Sequence, residues 1–430
     1  MRPGGLLCAT LRLCERLKSS PRARPWYKRP MRKALVVLLA FSSFGIAQSK
    51  PKVRAITAFI RIDAQHYETQ VGEAVTFLKA AREEYKASGF EVETIRVVTQ
   101  PLANYTKGMK HDDAVALLRK YGELAAKLGF TANLGAVMLT DDDDRATVDI
   151  AIDVFASTKI NGTLIVAAEN GIHWKSIREA ARLVKTVAAK SPHGEGNLNF
   201  ATAAMVKPYT PFYPAAWHDG PGKTFAVGLE SANVVADIFA QYHEPGPAES
   251  KLAEALTKYL LQAEAAAVRV AASSKWSYGG IDPTPAPLGE VSIGRAIENF
   301  IGAPFGSGGT MTAAAIITRA VQSTPVKQVG YAGLMVPVLE DAVLAKRWAE
   351  GTYNMDSLLA YSAVCAGGLD TIPLPGDISE ERLARIMGDV ASLAWKWHKP
   401  LAARLLPAPG KHPGDHTEFD DGRMANTLVR

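Results

Sequence analysis

Short apolar segments rich in β-branched residues alternate with amphipathic helical segments along this chain, and this alternation most restricts its fold. Residues 54–62 place Ile56, Ala58 and Ile60 on one face, which is the spacing of a β-strand. Residues 68–88 then repeat apolar side chains at helical spacing up to a closing glycine. Because the same pair of patterns recurs, we predict an α/β fold with a largely parallel sheet.

The same reasoning predicts the other elements and the domain limits. We expect strands at residues 54–62, 92–98, 133–140, 162–167, 201–206 and 224–229. We expect helices at residues 68–88, 112–128, 148–157, 174–190, 250–273, 310–323 and 380–396. Glycine- and proline-rich stretches read as turns at residues 208–222, 279–289, 302–309 and 367–376. Residues 48–407 are predicted to form one domain, followed by an extended tail at 408–430.

The positive charge is concentrated at the amino terminus. Residues 1–47 hold ten of the 49 Lys and Arg residues but one of the 43 Asp and Glu residues, so the remainder holds 39 and 42. We therefore expect no basic patch for binding a nucleic acid in the chain after residue 47. Residues 31–47 run from basic to apolar to small, the order of a secretory signal, with 1–30 as an upstream extension. We expect an exported, periplasmic or secreted protein without stable membrane insertion after cleavage; a basic tail or an organelle transit peptide is the alternative.

One candidate constellation combines an imidazole with carboxylates. His218 and Asp219 stand in a glycine turn after an aromatic run, and Glu230 closes the next predicted strand. His218 is a candidate acid or base, Asp219 a candidate ligand of a divalent metal, and Glu230 a candidate ligand-binding carboxylate. Neighbours in sequence seldom face one another, so a core or turn role is the alternative for each.

Three other glycine- or proline-rich segments carry candidate groups. Asp282 lies in a proline-locked stretch and is either an acid–base group or a turn cap. Cys365 and Asp370 flank a glycine pair, where the thiol is either reactive or a small buried apolar group. The turn at 306–310 precedes a helix, so Gly308, Gly309 and Thr310 are candidates for binding an anion, with helix capping as the alternative.

Several of these strings together resemble the family known as domain of unknown function 711. The resemblance is carried by residues 280–287, 292–298, 309–310, 363–370, 375–377 and 399–407, and by 414–415 with 418–419. It implies a ten-stranded α/β barrel of two antiparallel halves, similar to pyruvate formate-lyase and ribonucleotide reductase. In such barrels a cysteine on a central loop carries a thiyl radical, and Cys365 is its counterpart.

The sequence departs from that family pattern near its end. Relatives continue after the Glu-Phe pair with Gly-Gly-Leu-Leu-Gly, whereas this chain has Asp-Asp-Gly-Arg at residues 420–423. We therefore expect a non-radical enzyme, or a relative of one, that acts on a small polar or anionic molecule in a pocket at the barrel mouth. A periplasmic binding protein without catalysis is the alternative, an empty barrel is a third possibility, and an oligomer is possible.

Overall fold

A mixed sheet forms the centre of the protein, and the computed structural model describes residues 50–430. Its strands are β1 Lys52–Phe59, β2 Val92–Val98, β3 Thr131–Ala136, β4 Asn161–Ala168, β5 Gly171–Ile172, β6 Phe200–Ala204, β7 Thr224–Glu230, β8 Ser277–Asp282, β9 Gly367–Pro375 and β10 Leu401–Ala408. Helices connect them: α1 Tyr67–Ala87, α2 Ala103–Thr106, α3 His111–Leu128, α4 Ala146–Ser157, α5 Trp174–Lys190, α6 Ala232–Phe239, α7 Pro245–Ala272, α8 Ile293–Ile301, α9 Thr310–Gln322, α10 Ala342–Glu350, α11 Met355–Ser362 and α12 Glu380–Trp397.

The strands run in three blocks. The order across the sheet is β8-β7-β1-β2-β3-β4-β6-β10-β9, with β5 paired to β4 alone. Strands β1, β2, β3, β4 and β6 are mutually parallel, whereas β7 and β10 pair antiparallel to β1 and β6. Each of those two has a parallel outer neighbour, β8 or β9. The ladder formed by the described residues is open, with β8 and β9 as its edges, so it does not confirm the predicted closed barrel.

The predicted α/β class and parallel core are confirmed, and most early elements lie where the pattern places them. The segments 279–289 and 367–376, predicted to be turns, instead contain the end of β8 and the whole of β9. That prediction was wrong because both are edge strands, where proline and glycine are tolerated. Pro373 and Pro375 of β9 pair only with β10 in the ladder, so their missing N–H groups leave no second strand unsatisfied.

A long loop fills part of the sheet's inner face, the face opposite the helices. Residues 207–223 cross this face, where the carbonyl of Pro211 accepts a hydrogen bond from Thr57 Oγ1 at 3.0 Å. The carbonyl of Pro214 accepts one from Asn133 Nδ2 at 3.1 Å. Small strand residues leave room for the loop: a Cβ added at Gly228 would lie 3.1 Å from the ring of Phe212. The segment predicted to be a turn at residues 208–222 therefore lies inside the protein, against the sheet.

The carboxyl-terminal residues pack against the domain and are not extended away from it. Trp348 Nε1 donates to the carbonyl of Leu428 at 2.9 Å, and Thr427 Oγ1 donates to that of Ala345 at 2.7 Å. Phe419 and Val429 are buried. Residues 50–430 accordingly form one compact unit, whereas the predicted signal segment lies outside the described residues. Among residues 50–430, no helix combines the length and apolar character that crossing a membrane would need.

The contact between Asn133 and the loop predicts a stability effect. Asn133 is fully buried, and its Oδ1 also accepts from Gly135 N at 2.7 Å. Asn133→Ala strands a buried carbonyl and a buried N–H, so we expect it to lower the free energy of unfolding by about 2–4 kcal/mol in urea titration. Asn104→Ala, at an exposed helix position, is the control and should change it by less than about 0.5 kcal/mol. Equal effects of the two variants would contradict the anchoring role.

Candidate functional site

A cavity of about 1230 Å³ is lined by the inner face of the sheet and the inserted loop, and it extends past the amino ends of β3 and β4 to α3, α4 and residues 191–199. Apolar and aromatic side chains form much of its wall, and a group of charged side chains forms the rest. Its lining includes Arg54, Arg96, Ala201, Phe212, Tyr213, Pro214, Ala286, Pro287, Tyr331, Met335, Glu340, Asp370, Ala402, Arg404 and residues 420–424. An apolar pocket with a few convergent polar groups is the usual form of a small-molecule site.

The cavity opens at one end of the strands. Thr131 and Asn161, which line it, begin β3 and β4, so this is the amino end of the central parallel block. Strands β7, β8, β9 and β10 run antiparallel to this block. The segment that follows β8 and the carboxyl-terminal part of β10 therefore lie at this same end. Ligand sites in α/β proteins lie beyond the carboxyl ends of strands. Here the strands whose carboxyl ends lie at the cavity are those antiparallel to the central block.

A network of paired charges crosses the cavity wall. Glu340 lies between two guanidinium groups, with Oε1 2.6 Å from Arg404 Nη2 and Oε2 3.6 Å from Arg54 Nη2. Arg404 Nε also donates to Asp370 Oδ1 at 2.7 Å. On the other side, Arg54 Nη1 lies 3.2 Å from a carboxylate oxygen of Glu230. It lies equally close, at 3.2 Å, to Glu93 on β2. The network thus joins β1, β2, β7, β9 and β10.

The carboxyl groups of this network differ in their proton affinity. Burial, followed by the neighbouring charge of Glu93, raises the pKa of Glu230 to about 7. Burial and the charge of Glu340 likewise raise the pKa of Asp370, although Arg404 opposes this. Burial also acts on Glu340, but the charges of Arg404 and Arg54 outweigh it and lower its pKa. Glu340 is therefore the group most stabilised as an anion, whereas the pKa values of Asp370 and Glu230 are raised, that of Glu230 to about 7.

Arg96 lines the same cavity and has no carboxylate partner within residues 50–430. Its side chain is 8% exposed. Nε donates to Thr94 Oγ1 at 3.0 Å, and Nη1 donates to the carbonyl of Pro211 at 3.4 Å. The guanidinium also lies 4.7 Å from the ring centre of Tyr213. Burial and the charge of Arg54 lower the pKa of Arg96 to about 10, which still leaves it charged at neutral pH.

The structure does not bring the predicted His218, Asp282 and Cys365 into this cavity. His218 is fully buried beside Phe59, and its Nε2 donates to the carbonyl of Ile60 at 2.8 Å. Burial lowers the pKa of His218 to about 4. Asp282 is fully buried, and its carboxylate accepts hydrogen bonds from Thr284 N and Oγ1, Tyr331 N and Ala332 N. Cys365 is buried in the main core, where burial raises its pKa to about 11. All three side chains are enclosed by packing.

The predicted anion turn and metal ligand also lie apart from the cavity lining. Thr310 Oγ1 donates to the carbonyl of Ser307 at 2.8 Å and accepts from Gly306 N at 3.1 Å, so its hydroxyl is used inside the turn. Gly308 and Gly309 are exposed. Asp219 is exposed too, and no three His, Cys, Asp or Glu residues among those described converge to hold a metal ion. We therefore assign no anion or metal role to these residues.

Two predicted residues belong to the charged network. Asp370 lines the cavity, and Glu230 contacts the network through Arg54. Sequence reasoning missed Arg54, Arg96, Glu340 and Arg404. A signal for two of them was present, because Arg96 and Arg404 interrupt apolar runs that form β2 and β10. A charge inside a buried strand needs a partner or a ligand, and that pattern marks both positions.

Comparison with known proteins gives one consistent result. Residues 45–420 match the family described as "Uncharacterised ACR (DUF711)". A UPF0210 protein of Pyrobaculum aerophilum is 32% identical over 288 residues, which cover 64% of this chain and 63% of the relative, slightly less than two thirds of its length. A UPF0210 protein of Desulforudis audaxviator is 27% identical over 361 residues, 79% of each chain. One of Methanococcoides burtonii is 25% identical over 371 residues, 82% of each.

The paired arginine of the network predicts a pH-dependent loss of stability. Arg404→Met leaves Asp370 and Glu340 buried without their closest cation, and we expect the free energy of unfolding at pH 7.5 to fall by about 3–5 kcal/mol. The loss should shrink at pH 5, because the abandoned carboxyl groups then take up protons. Urea titration at both pH values measures it. Arg319→Met, which breaks the exposed pair with Glu249, should cost less than about 1 kcal/mol. A small loss that does not depend on pH would contradict the network's role.

The raised pKa of Glu230 predicts a second pH effect. The folded protein holds this proton up to about pH 7, whereas an unfolded chain releases it near the ordinary value of 4.5. Folding stability attributable to Glu230 therefore falls as the pH rises through that window. Glu230→Gln should gain stability relative to the unsubstituted protein between pH 5 and pH 7.5, by roughly 1–3 kcal/mol. Chemical denaturation across this range tests it, and a constant difference between the two proteins would refute it.

Proposed function

Since the chain belongs to the DUF711 family, whose description names no activity, we propose a function from its cavity: the protein binds a small polar or anionic molecule there and acts on it as a non-radical enzyme. The cavity, of about 1230 Å³, is large enough to admit a small metabolite. Its walls offer cations, carboxyl groups and apolar surface.

The observation that carries this proposal is the buried, carboxylate-free guanidinium of Arg96. Breaking a buried ion pair by removing one partner costs about 3–5 kcal/mol, so a buried cation without a counter-ion is expensive to keep. Such a group is retained in a binding site when a ligand supplies the missing charge. Tyr213 lies beside the guanidinium, Thr94 accepts from Nε and the Pro211 carbonyl accepts from Nη1, which leaves Nη2 for the ligand.

Asp370 is the side chain best placed to act on such a ligand. It lines the cavity, and Arg404 fixes one carboxylate oxygen through a 2.7 Å hydrogen bond. Burial and the nearby charge of Glu340 raise its pKa above the ordinary value, although Arg404 opposes this, and a raised pKa favours a carboxyl group as a proton donor. We assign Asp370 as the general acid or base and Arg404 as its positioning residue. Cys365 takes no part, because it lies outside the cavity lining.

We also propose that the sheet closes as a barrel through residues 327–338. On the β8 side, Ile281 N donates to the carbonyl of Lys327 at 2.8 Å. On the β9 side, Val338 N donates to the carbonyl of Asp370 at 3.0 Å. Hydrogen bonds from one segment to both edge strands support closure. The kinship with pyruvate formate-lyase and ribonucleotide reductase rests on the family resemblance. Export is proposed on the sequence pattern of residues 31–47 alone.

The binding role of Arg96 is testable by calorimetry. We expect Arg96→Met to weaken binding of small anions about 10- to 100-fold, the effect of losing one charge-assisted hydrogen-bonding group. Acetate, succinate, inorganic phosphate and methyl phosphate serve as probes. The ligand-free variant should unfold at the same or a higher temperature, because an unpaired buried charge has been removed. Arg382→Met, on the exposed face of α12, is the control. Unchanged affinity in Arg96→Met, or no anion binding by the unsubstituted protein, would overturn the proposed function.

A further inference from the structure

Besides Arg96, a further guanidinium without full pairing lines the cavity, and it belongs to the carboxyl-terminal segment. Arg423 lines the cavity with residues 420–424, and its side chain is 62% exposed. Asp421 holds one edge of the fork, with its Oδ1 2.9 Å from Nε and its Oδ2 2.5 Å from Nη2. Nη1 has no acceptor among the residues that the structure describes. The fork is thus fixed on one edge and open on the other.

The backbone that carries Arg423 is held in place. Asn426 Nδ2 donates to the carbonyl of Phe419 at 3.0 Å, and its Oδ1 accepts from Phe419 N at 2.9 Å. Thr417 Oγ1 donates to the same Oδ1 at 2.8 Å. Met424 is buried, and its N–H donates to the carbonyl of Asp421 at 2.9 Å. These bonds close the loop at its base, so the direction in which Arg423 projects is built into the fold.

Around Arg96 and Arg423, positive charge exceeds the negative charge of the carboxylates that contact them. Arg54 and Arg404 are both paired with Glu340, which therefore serves two cations already. Arg96 has no carboxylate partner within residues 50–430, and Arg423 pairs with one carboxylate while adding to the positive potential that Arg96 experiences. One singly charged carboxylate would satisfy a single guanidinium fork. Two guanidinium groups that each keep N–H donors unpaired instead match a group that has three acceptor oxygens and two negative charges.

We propose that the ligand is a small phosphomonoester whose phosphoryl group is held between Arg96 and Arg423, so that Arg423 is a specificity residue and Asp421 its positioning residue. This inference rests on the proposed function, because it concerns the same cavity. Arg96 supplies the buried side of the phosphoryl site, and Arg423 supplies the side at the mouth. The organic part of the ligand then extends toward Asp370 and the apolar wall.

Calorimetry on the full chain with methyl phosphate and acetate tests this assignment. We expect the unsubstituted protein to bind methyl phosphate at least 10-fold more tightly than acetate at pH 7.5. The preference should decline below about pH 6, where the phosphoryl group takes up a proton. Arg423→Met should weaken methyl phosphate binding about 10-fold and leave acetate binding unchanged. Asp421→Asn should weaken methyl phosphate binding less, and Arg382→Met should have no effect.

The outcomes separate this inference from the proposed function. If Arg423→Met binds methyl phosphate as well as the unsubstituted protein while Arg96→Met does not, Arg423 is no specificity residue and the anion role of Arg96 stands. Equal affinity of the unsubstituted protein for acetate and methyl phosphate would also overturn the phosphoryl assignment. Arg423→Lys keeps the charge but loses the fork, and it should bind methyl phosphate with intermediate affinity. Thermal unfolding of each variant without ligand excludes misfolding as the cause of a loss.

Discussion

The contacts of Glu340 with two distant strands set the geometry on which the site depends. Five inter-strand steps separate β1 from β10 in the sheet order, which in a flat sheet corresponds to roughly 24 Å. Yet the carboxylate of Glu340 lies 3.6 Å from Arg54 on β1 and 2.6 Å from Arg404 on β10. The sheet must therefore curl strongly, and the curl is what encloses an inner face. An enclosed face has to be filled, and the loop at 207–223 fills it only in part.

The part of the inner face that the loop leaves open is lined by charged side chains, because the network of Arg54, Glu340, Arg404 and Asp370 borders it. Pairing can compensate the cost of burying Arg54, Glu340, Arg404 and Asp370, since each has at least one close partner of opposite sign. Arg96 stands outside this arrangement, although it shares the cavity with its members. A fold that needed only stability would have an apolar residue at this position of β2. Pairing within residues 50–430 therefore does not offset the cost of burying Arg96.

Periodicity predicts regular elements of this molecule better than the edge strands and the inserted loop. Strand β2 and helix α5 begin and end where the sequence pattern places them, because β2 is rich in β-branched residues and α5 presents an apolar face to the core. Strand β9 escapes prediction, since Gly367, Gly368 and its prolines carry no strand pattern and are acceptable only at an edge. His218 and Asp282 look functional in a glycine turn, but turn glycines do not reveal whether a loop faces water or fills an interior. The network is likewise hidden, because its members come from five strands and a loop that only tertiary structure brings together.

The placement of Asp370 shows how architecture and chemistry become linked in this protein. On the same strand, β9, Gly368 permits close approach to β10, because a Cβ at this position would meet the backbone of Ala402. That tight pairing brings Arg404 of β10 within hydrogen-bond distance of the Asp370 carboxylate, and Glu340 then lies across the same guanidinium. One cation between two carboxyl groups favours ionisation of the one that has more cationic neighbours, which is Glu340. The other is left with a raised pKa and a face on the cavity. A carboxyl group with a raised pKa at that position thus follows from burial and from the packing of two neighbouring strands, β9 and β10.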